Sequence, residues 1–370
     1  MKIDDKKFDF DDILIVPEVY TDIKSRYKDI ELPINLPLMT APMDTVVNLT
    51  NMYDFVSTGI NVVLPRTISY DKFLVNQILN KKIDDSGIFI SVSFEDLNIS
   101  CRGNFMKYHK NAKLCIDTAN GHMIQIIDYC KKIKNSRPDI KIMVGNIANP
   151  KTYLWYAEHN CVDYIRVGIG NGNGCLTTKQ SGIGYPMASL LREVYEEKQN
   201  FIEHNEIDKI YQNTILNTKP VNIIPAIVAD GGMKDYSDVV KALALGADYV
   251  MIGSIFNKAL ESCANNYIYG VKLNKKLAKF LFDKGYPIKK YFRGMSTKEA
   301  QKAMGKTFFR TSEGIIRIRN VEYHLNGWVD NFKHYLRNAM SYTNSKNLED
   351  FIGNVEICKI SKSAYERFNK

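Results

Sequence analysis

The sequence predicts an α/β protein of the (β/α)₈ TIM-barrel class, and three observations support that prediction. The 370-residue chain is 45% hydrophobic and 25% charged, which is close to the globular average and excludes a disordered or fibrous protein. Eight short apolar runs recur along it, with helix-like segments between them. Polar and glycine residues follow the carboxyl ends of these runs, where barrel enzymes build their active sites.

The eight runs are the predicted strands. Several of them are almost continuously apolar, as parallel strands buried on both faces are. The predicted strands cover residues 36–40, 61–64, 88–92, 114–117, 142–145, 164–167, 223–229 and 249–252. Apolar residues at helical spacing predict helices at 123–134 and 237–245. From the pattern alone, a doubly wound sheet is the alternative architecture.

Segments beyond a minimal barrel are expected in three places. Residues 191–220 read as an extended sixth helix with a polar connector. Residues 286–330 follow the eighth strand and read as a long irregular loop, which is usually functional in a compact domain. Residues 331–370 read as a final helix and a lysine-containing extension. With no repeat or low-complexity linker, we expect one catalytic domain over 1–370, an active-site loop at 166–186 and a mobile flap and C-terminal segment at about 286–330.

Charge and composition limit the partners. Fifty basic against 41 acidic residues give a net charge of +9, but the lysines are spread along the chain. This distribution favours a solvated surface over a nucleic-acid interface. No apolar run reaches the length of a membrane span and the first residues lack a signal-peptide core, so we expect no membrane partner and a cytoplasmic location. The seven cysteines form no CxxC pair and the six histidines are scattered, so no metal site is expected.

Residues 166–186, RVGIGNGNGCLTTKQSGIGYP, are the most informative segment. Six glycines surround Cys175 directly after a predicted buried strand. Such a loop turns sharply, approaches a ligand closely and can form an anion nest from its amides. A core cysteine would have little to pack against there. Cys175 is therefore a candidate functional residue.

Two further glycine motifs follow the last two predicted strands. Asp230, Gly231 and Gly232 end the seventh, and Gly253 and Ser254 end the eighth. Glycine amides and a serine hydroxyl at this place form the usual phosphate site of barrels. Ordinary tight turns between strand and helix are the alternative interpretation.

At these residues the chain resembles the IMP dehydrogenase/GMP reductase family. The resemblance covers nearly the whole chain in the family order. It rests on FDFDDILIVP at 8–17, APMDTV at 41–46, IDTANG at 116–121, GN at 145–146, the Cys175 loop, DGG at 230–232, GS at 253–254 and RGMS at 293–296. It implies a (β/α)₈ barrel, a purine nucleotide (GMP or IMP) as substrate, attack of the loop cysteine on C2 of the purine, and a homotetramer.

Three features favour the reductase branch, which would convert GMP to IMP and ammonia with NADPH. No paired CBS insertion follows residues 60–64. The loop continuation from Thr177 and Ser296 match the reductase form. In addition, RTSEG at 310–314 resembles the segment that supplies the acid and base contacts of reductases. The Arg-Tyr pair that activates water in dehydrogenases is absent from 297–330. The alternatives are a CBS-free IMP dehydrogenase using NAD, a relative acting on another purine nucleotide, and a non-catalytic nucleotide-binding protein.

The resemblance implies a role for each matching residue. Cys175, Thr177 and Glu313 would be catalytic, with Thr177 and Glu313 handling protons. The substrate would contact Asp230, Gly231, Gly232, Gly253, Ser254, Met295, Ser296, Arg310 and Ser312. The cofactor would contact Met43, Asp44, Thr45, Arg66, Asp117 and Asn120. The loop carbonyls of Gly170 and Gly172 could hold a monovalent cation such as K⁺.

The sequence also departs from the family pattern. Asn173 stands where the family has a phosphate-binding serine, although its amide can still donate hydrogen bonds. Arg66 stands where reductases carry a basic pair near a histidine, and its guanidinium matches the geometry of a cofactor phosphate. Leu176 replaces the reductase threonine after the cysteine, which is the dehydrogenase form. The segment 191–220 has no family counterpart.

Overall fold

The computed structural model describes residues 6–69, 71–73, 75, 87–94, 97, 113–215, 223–305 and 314–368, with the backbone alone at 206–215. The strands are, in chain order, β1 Ile13–Ile15, β2 Leu38–Thr40, β3 Val62–Leu64, β4 Ile88–Val92, β5 Lys113–Asp117, β6 Lys141–Ile147, β7 Tyr164–Val167, β8 Ala226–Asp230, β9 Tyr249–Ile252, β10 Asn266–Ile268, β11 Val271–Leu273, β12 Lys289–Arg293, β13 Ile316–Asn320 and β14 Ile357–Lys359.

Several helices begin where a side chain satisfies a free backbone amide. Asn149, Asp235 and Asn274 each accept a hydrogen bond from the first turn of the helix that follows. The helices are α1 Met52–Val56, α2 Gln125–Ser136, α3 Pro150–Glu158, α4 Thr177–Ser181, α5 Met187–Ile215, α6 Tyr236–Ala244, α7 Ser254–Asn257, α8 Lys275–Asp283, α9 Lys298–Ala303, α10 Leu325–Tyr342, α11 Leu348–Phe351 and α12 Lys362–Phe368. None of these, over the part of the chain that is described, could cross a membrane.

Strands β2 to β9 form one parallel sheet of eight strands, in the order β2-β9-β8-β7-β6-β5-β4-β3. A parallel bridge between Met39 and Asn61 brings the two end strands, β2 and β3, together. The predicted (β/α)₈ barrel is confirmed. The eighth predicted strand is placed as expected, whereas the seventh begins at Ala226 rather than at residue 223 and the fifth continues to Ile147.

Successive side chains of the barrel strands point alternately into the barrel and out toward the helices, so they form two separate apolar layers. One layer fills the inside of the barrel and comprises Met39, Ala41, Val63, Phe89, Cys115, Met143, Val228 and Met251. The intervening strand residues, such as Val62, Leu114 and Ile165, pack outward against the helices. Because side chains alternate with period two, the residues two positions after the inner layer form the mouth of the barrel. Those residues include Asp117 after Cys115 and Asp230 after Val228.

The segment after β9 is more regular than predicted. The expectation of an irregular loop over 286–330 is wrong, because β12 and β13 pair antiparallel in a four-stranded sheet of order β11-β10-β12-β13, here called the flap sheet. The alternating sequence KKYFR gives β12 one buried and one exposed face, whereas β13 is exposed except for the half-buried Arg319. Residues 306–313 lie outside the described ranges.

The tail is also more than a helix with an extension. Helix α10 is the predicted final helix, but β14 follows it and pairs antiparallel with β1, with Leu14 opposite Cys358. The pairing joins segments more than 340 positions apart. Short strands whose partners are that distant leave no periodic signal strong enough to predict them.

A buried lysine attaches the flap sheet to the barrel. The Nζ of Lys290 on β12 donates to the backbone oxygens of Ala259 at 2.9 Å, Leu260 at 2.8 Å and Ser262 at 2.9 Å, and to the Ser262 hydroxyl at 2.7 Å. The side chain is fully buried. Burial lowers the pKa of Lys290 to about 7. A buried amine needs hydrogen-bond partners of this kind, so these contacts fix the position of β12.

We expect Lys290→Met to lower the free energy of unfolding by at least about 3 kcal/mol, because several buried oxygens lose their donor together. Urea unfolding followed by circular dichroism measures the change. Lys289→Met is the matched control, since Lys289 is the exposed neighbour on the same strand, and it should change stability by no more than about 0.5 kcal/mol. Equal losses in the two variants would contradict the role given to Lys290.

Candidate active site

A cavity of about 270 Å³ opens at the carboxyl ends of the barrel strands, with the flap sheet forming part of its wall. Most of the sequence-predicted site residues come together there. Those that line it are Met43, Arg66, Asp117, Gly172, Cys175, Asp230, Gly231, Gly232, Gly253, Ser254, Met295 and Ser296. Residues from loops far apart in the chain therefore share one site, as barrel topology requires.

Other predicted site residues lie beside the cavity. Asp44 is paired with Arg293 of β12, whose Nε lies 3.2 Å from Oδ1. Thr45 is buried, and Asn120 is exposed and accepts the backbone amide hydrogen of His122 at 3.1 Å. Gly170 packs against Thr178. Arg310, Ser312 and Glu313 lie outside the described residues.

Cys175 lies in the loop between β7 and α4 and is half-buried. Its backbone amide donates to the carbonyl oxygen of Gly172 at 2.9 Å, which closes a tight turn. Its thiol donates to the hydroxyl of Thr177 at 3.1 Å, and the amide of Thr177 donates back to the sulfur at 3.4 Å. These contacts orient the thiol, and the amide hydrogen would stabilise negative charge on the sulfur.

The loop has this shape because glycine occupies its crowded positions. At Gly170 the backbone has a φ of +81°, and an added Cβ would lie 1.7 Å from the Thr178 hydroxyl. Only glycine accepts both constraints. The flap sheet supports the other side of the loop, since Ile315 donates its amide hydrogen to the Gly174 oxygen at 3.2 Å and Cys175 forms an antiparallel bridge with Gly314.

A buried arginine connects the two carboxylates of the barrel mouth. Arg166 on β7 points inward, and its Nη1 lies 2.6 Å from Asp117 Oδ1. Its Nη2 and Nε lie 2.7 and 3.2 Å from Oδ2 of Asp230. Asn146 adds a third donor to the same Asp230 oxygen at 2.8 Å. Burial acts to lower the pKa of Arg166, but the two carboxylates raise it well above its usual value.

Asp117 lies between two arginines. Burial alone would raise the pKa of its carboxyl, but Arg166 and Arg66 lower it below the usual value, so the group is ionised. The Nε of Arg66 lies 2.9 Å from Oδ2 of Asp117. In the described part of the chain the terminal nitrogens of Arg66 contact no acceptor, and the residue lines the cavity. These nitrogens can donate to a ligand.

The glycine motifs after β8 and β9 lie next to the cysteine loop. Gly231 has a φ of +95°, and an added Cβ would lie 2.9 Å from the amide nitrogen of Gly172. Asn173, which departs from the family pattern, donates from Nδ2 to the Ser254 hydroxyl at 3.2 Å. The asparagine therefore contacts a residue of the predicted phosphate site.

Sequence reasoning gave no role to two residues that shape the site, Arg166 and Phe292, and both line the cavity. Asn146 also lines the cavity, at a strand end where the sequence places active-site polar residues. A signal existed for Arg166, because an arginine inside the buried run Tyr164–Val167 needs partners for its charge. For Phe292 there was none, because its position depends on how the flap sheet packs.

Fold and site together define a barrel protein that presents an oriented cysteine in a pocket of backbone amides and paired charges. A family model described as the IMP dehydrogenase / GMP reductase domain matches residues 7–368. The chain belongs to this family.

Curated relatives come from both branches of the family. The GMP reductases of Onchocerca volvulus and Caenorhabditis elegans are 26% and 24% identical, with 98% of this chain and 93% and 94% of theirs covered. The inosine-5′-monophosphate dehydrogenase of Borreliella burgdorferi is 32% identical over 68% of this chain, but only 55% of that protein is covered.

We expect Arg166→Met to lower the free energy of unfolding by about 3 kcal/mol, because the half-buried carboxylates of Asp117 and Asp230 lose the cation between them and keep only Arg66 and Asn146 as partners. Thermal and urea unfolding measure the change. Arg192→Met is the control, since that side chain makes an exposed contact with Glu196 and should contribute at most about 0.5 kcal/mol. A loss no larger than the control's would mean that the Arg166 ion pairs contribute little to stability.

Proposed function

We propose that this chain is a GMP reductase, which converts GMP to IMP and ammonia with NADPH as reductant. The observation that supports it best is that the oriented thiol of Cys175 opens into the same cavity as Asp230 and the glycine motifs. The Onchocerca and Caenorhabditis reductases add support, because 93% and 94% of their length corresponds to this chain, whereas 55% of the Borreliella dehydrogenase does.

The reaction would begin at Cys175. Its thiolate would donate an electron pair to C2 of the purine and form a C–S bond. The exocyclic amino group would then be protonated, and the bond between C2 and that nitrogen would break as ammonia leaves. Thr177, in contact with the sulfur, and Glu313 would transfer the protons. When a hydride has been added to C2, the C–S bond breaks and the electron pair returns to sulfur, which releases IMP and restores Cys175.

NADPH, when bound, would supply that hydride. The residues at this side of the cavity fit a cofactor, because the terminal nitrogens of Arg66 contact no acceptor among the described residues and the side chain is held by the ionised Asp117. Met43, also in the wall, and Asn120, close to it, would complete the cofactor side together with Asp44 and Thr45. A contact between Arg66 and a phosphate or amide oxygen would use the planar guanidinium geometry.

The nucleotide would be bound from both ends. All three donors to Asp230 converge on Oδ2, and among the described residues Oδ1 accepts none, so it is available to ribose hydroxyls. The amides of Gly231, Gly232 and Gly253 and the Ser254 hydroxyl would hold the phosphate. Met295 and Ser296 would contact the base, together with Arg310 and Ser312.

A CBS-free IMP dehydrogenase using NAD is the second candidate, and Leu176 beside the cysteine favours it. The further expectations from the family resemblance also stand as proposals. They are a homotetramer, a cytoplasmic location, and a monovalent cation such as K⁺ at the carbonyls of Gly170 and Gly172.

The proposal is tested by absorbance at the reduced-nicotinamide band in two mixtures, GMP with NADPH and IMP with NAD. We expect the signal to fall in the first mixture, with one ammonia released per NADPH consumed, and to stay constant in the second. A rise in the second mixture would identify a dehydrogenase. No change in either would contradict both assignments.

Cys175→Ala provides the mechanistic control. Because the thiol forms the bond to C2, the variant should lose turnover while equilibrium dialysis still detects bound GMP. Cys358→Ala removes an exposed cysteine on β14 and should leave turnover unchanged. Retained turnover in Cys175→Ala would exclude the covalent route.

A further inference from the structure

An arginine of the flap sheet lies behind the proposed phosphate site. Arg319 on β13 is half-buried, and its Nη1 lies 3.4 Å from the backbone oxygen of Ser254. Its guanidinium carbon lies 4.5 Å above the ring centroid of Phe292. Phe292 and Ser254 both line the cavity. The guanidinium is therefore one residue layer behind the cavity wall, held by a cation–π contact and a hydrogen bond.

Carboxylates neutralise the charges of Arg166, Arg66 and Arg293, but the charge of Arg319 has no such partner in the described ranges. Arg166 and Arg66 are paired with Asp117, and Arg293 is paired with Asp44. Arg319 makes no ion pair with a carboxylate in the described ranges, and burial lowers its pKa. Arginine remains charged even so, because its usual pKa exceeds 12. A partly desolvated cation without a counter-ion favours an anion nearby.

Neighbouring groups do not neutralise this charge. Arg319 lies directly opposite Lys290 in the pairing of β12 with β13, where burial lowers the pKa of the lysine to about 7, and the exposed Arg317 lies two positions away on the same face of β13. Among the described residues, Glu322 and Tyr323 act to raise the pKa of Arg319. Glu322 is itself paired with Lys258 at 2.9 Å.

We propose that Arg319 is a positioning residue that makes the site selective for a phosphorylated substrate. Its hydrogen bond fixes the backbone at Ser254, and its charge favours the phosphate that the Ser254 hydroxyl and nearby amides would bind. This inference rests on the proposed function, because the phosphate site is the one assigned there. It predicts that Arg319 discriminates a nucleoside monophosphate from the nucleoside.

Arg317 offers a matched control. It has the same charge, strand and sheet face as Arg319, and it lies opposite Phe292 in the strand pairing. It is exposed, however, and has no contact with Ser254. Arg317→Met therefore removes the same charge from the flap sheet without removing the contact with the site.

The experiment compares wild type with Arg319→Met, Arg319→Gln, Arg319→Lys and Arg317→Met. We expect KM for GMP to rise about tenfold in Arg319→Met, the effect of losing one charge-assisted interaction, with kcat little changed. Equilibrium dialysis should show the same weakening for GMP and for IMP but none for guanosine. Arg319→Lys should bind GMP almost as wild type does, and Arg317→Met should match wild type.

Arg319→Gln separates charge from hydrogen bonding, since the glutamine amide can still donate to the Ser254 oxygen. Weakened GMP binding in this variant, with an unchanged melting temperature, would support the role of charge, and it keeps the test decisive if Arg319→Met does not fold. Equal GMP affinity in wild type and both neutral variants would overturn the inference, as would equal weakening for guanosine.

Equilibrium dialysis distinguishes a failure of the proposed reductase reaction from a failure of the proposed role of Arg319. If wild type binds GMP but does not reduce it, the proposed reaction fails while the affinities of the variants still decide the role of Arg319. If the variants bind GMP as wild type does while wild type reduces it, only the inference about Arg319 fails. Absence of binding of GMP and IMP to wild type would overturn both.

Discussion

The buried guanidinium of Arg166 is the interaction on which the arrangement of the barrel mouth depends. One cation inside the barrel contacts carboxylates at the ends of β5 and β8, and Asn146 of β6 contacts the same carboxylate of Asp230. Each charge is tolerated in the barrel only because the others are present. The two sides of the cavity, at Asp117 and at Asp230, are therefore fixed relative to each other.

The cysteine loop depends on that frame and on the flap sheet. Gly168, at the start of the loop, accepts a hydrogen bond from Asn146, and Gly174 accepts one from Ile315 at the edge of the flap sheet. The flap sheet is in turn attached by Lys290 and by the pair of Arg293 with Asp44. The position of the thiol is thus set by contacts from both sides of the site. Such preorganisation is what nucleophilic catalysis requires.

One departure from the family pattern, Asn173, lies at the predicted phosphate site. Asn173 replaces a serine and contacts Ser254 from the cavity side, while Arg319 contacts the backbone of Ser254 from the flap sheet. Both contacts restrain the same residue. An amide and a guanidinium in these positions can compensate for a lost hydroxyl, because each supplies hydrogen-bond donors and the guanidinium also supplies charge.

The sequence by itself determined the barrel and most of the site. Its eight apolar runs and the glycine motifs after them depend on local periodicity and turn chemistry, and these act over a few residues. It therefore located Cys175, Asp117, Asp230 and Ser254 at one end of the sheet. Only the tertiary structure decided that β14 pairs with β1, that the flap is a sheet, and that Arg166 and Arg319 lie at the site. These features depend on contacts between residues distant in the chain, whose energies come from burial and charge pairing rather than from local pattern.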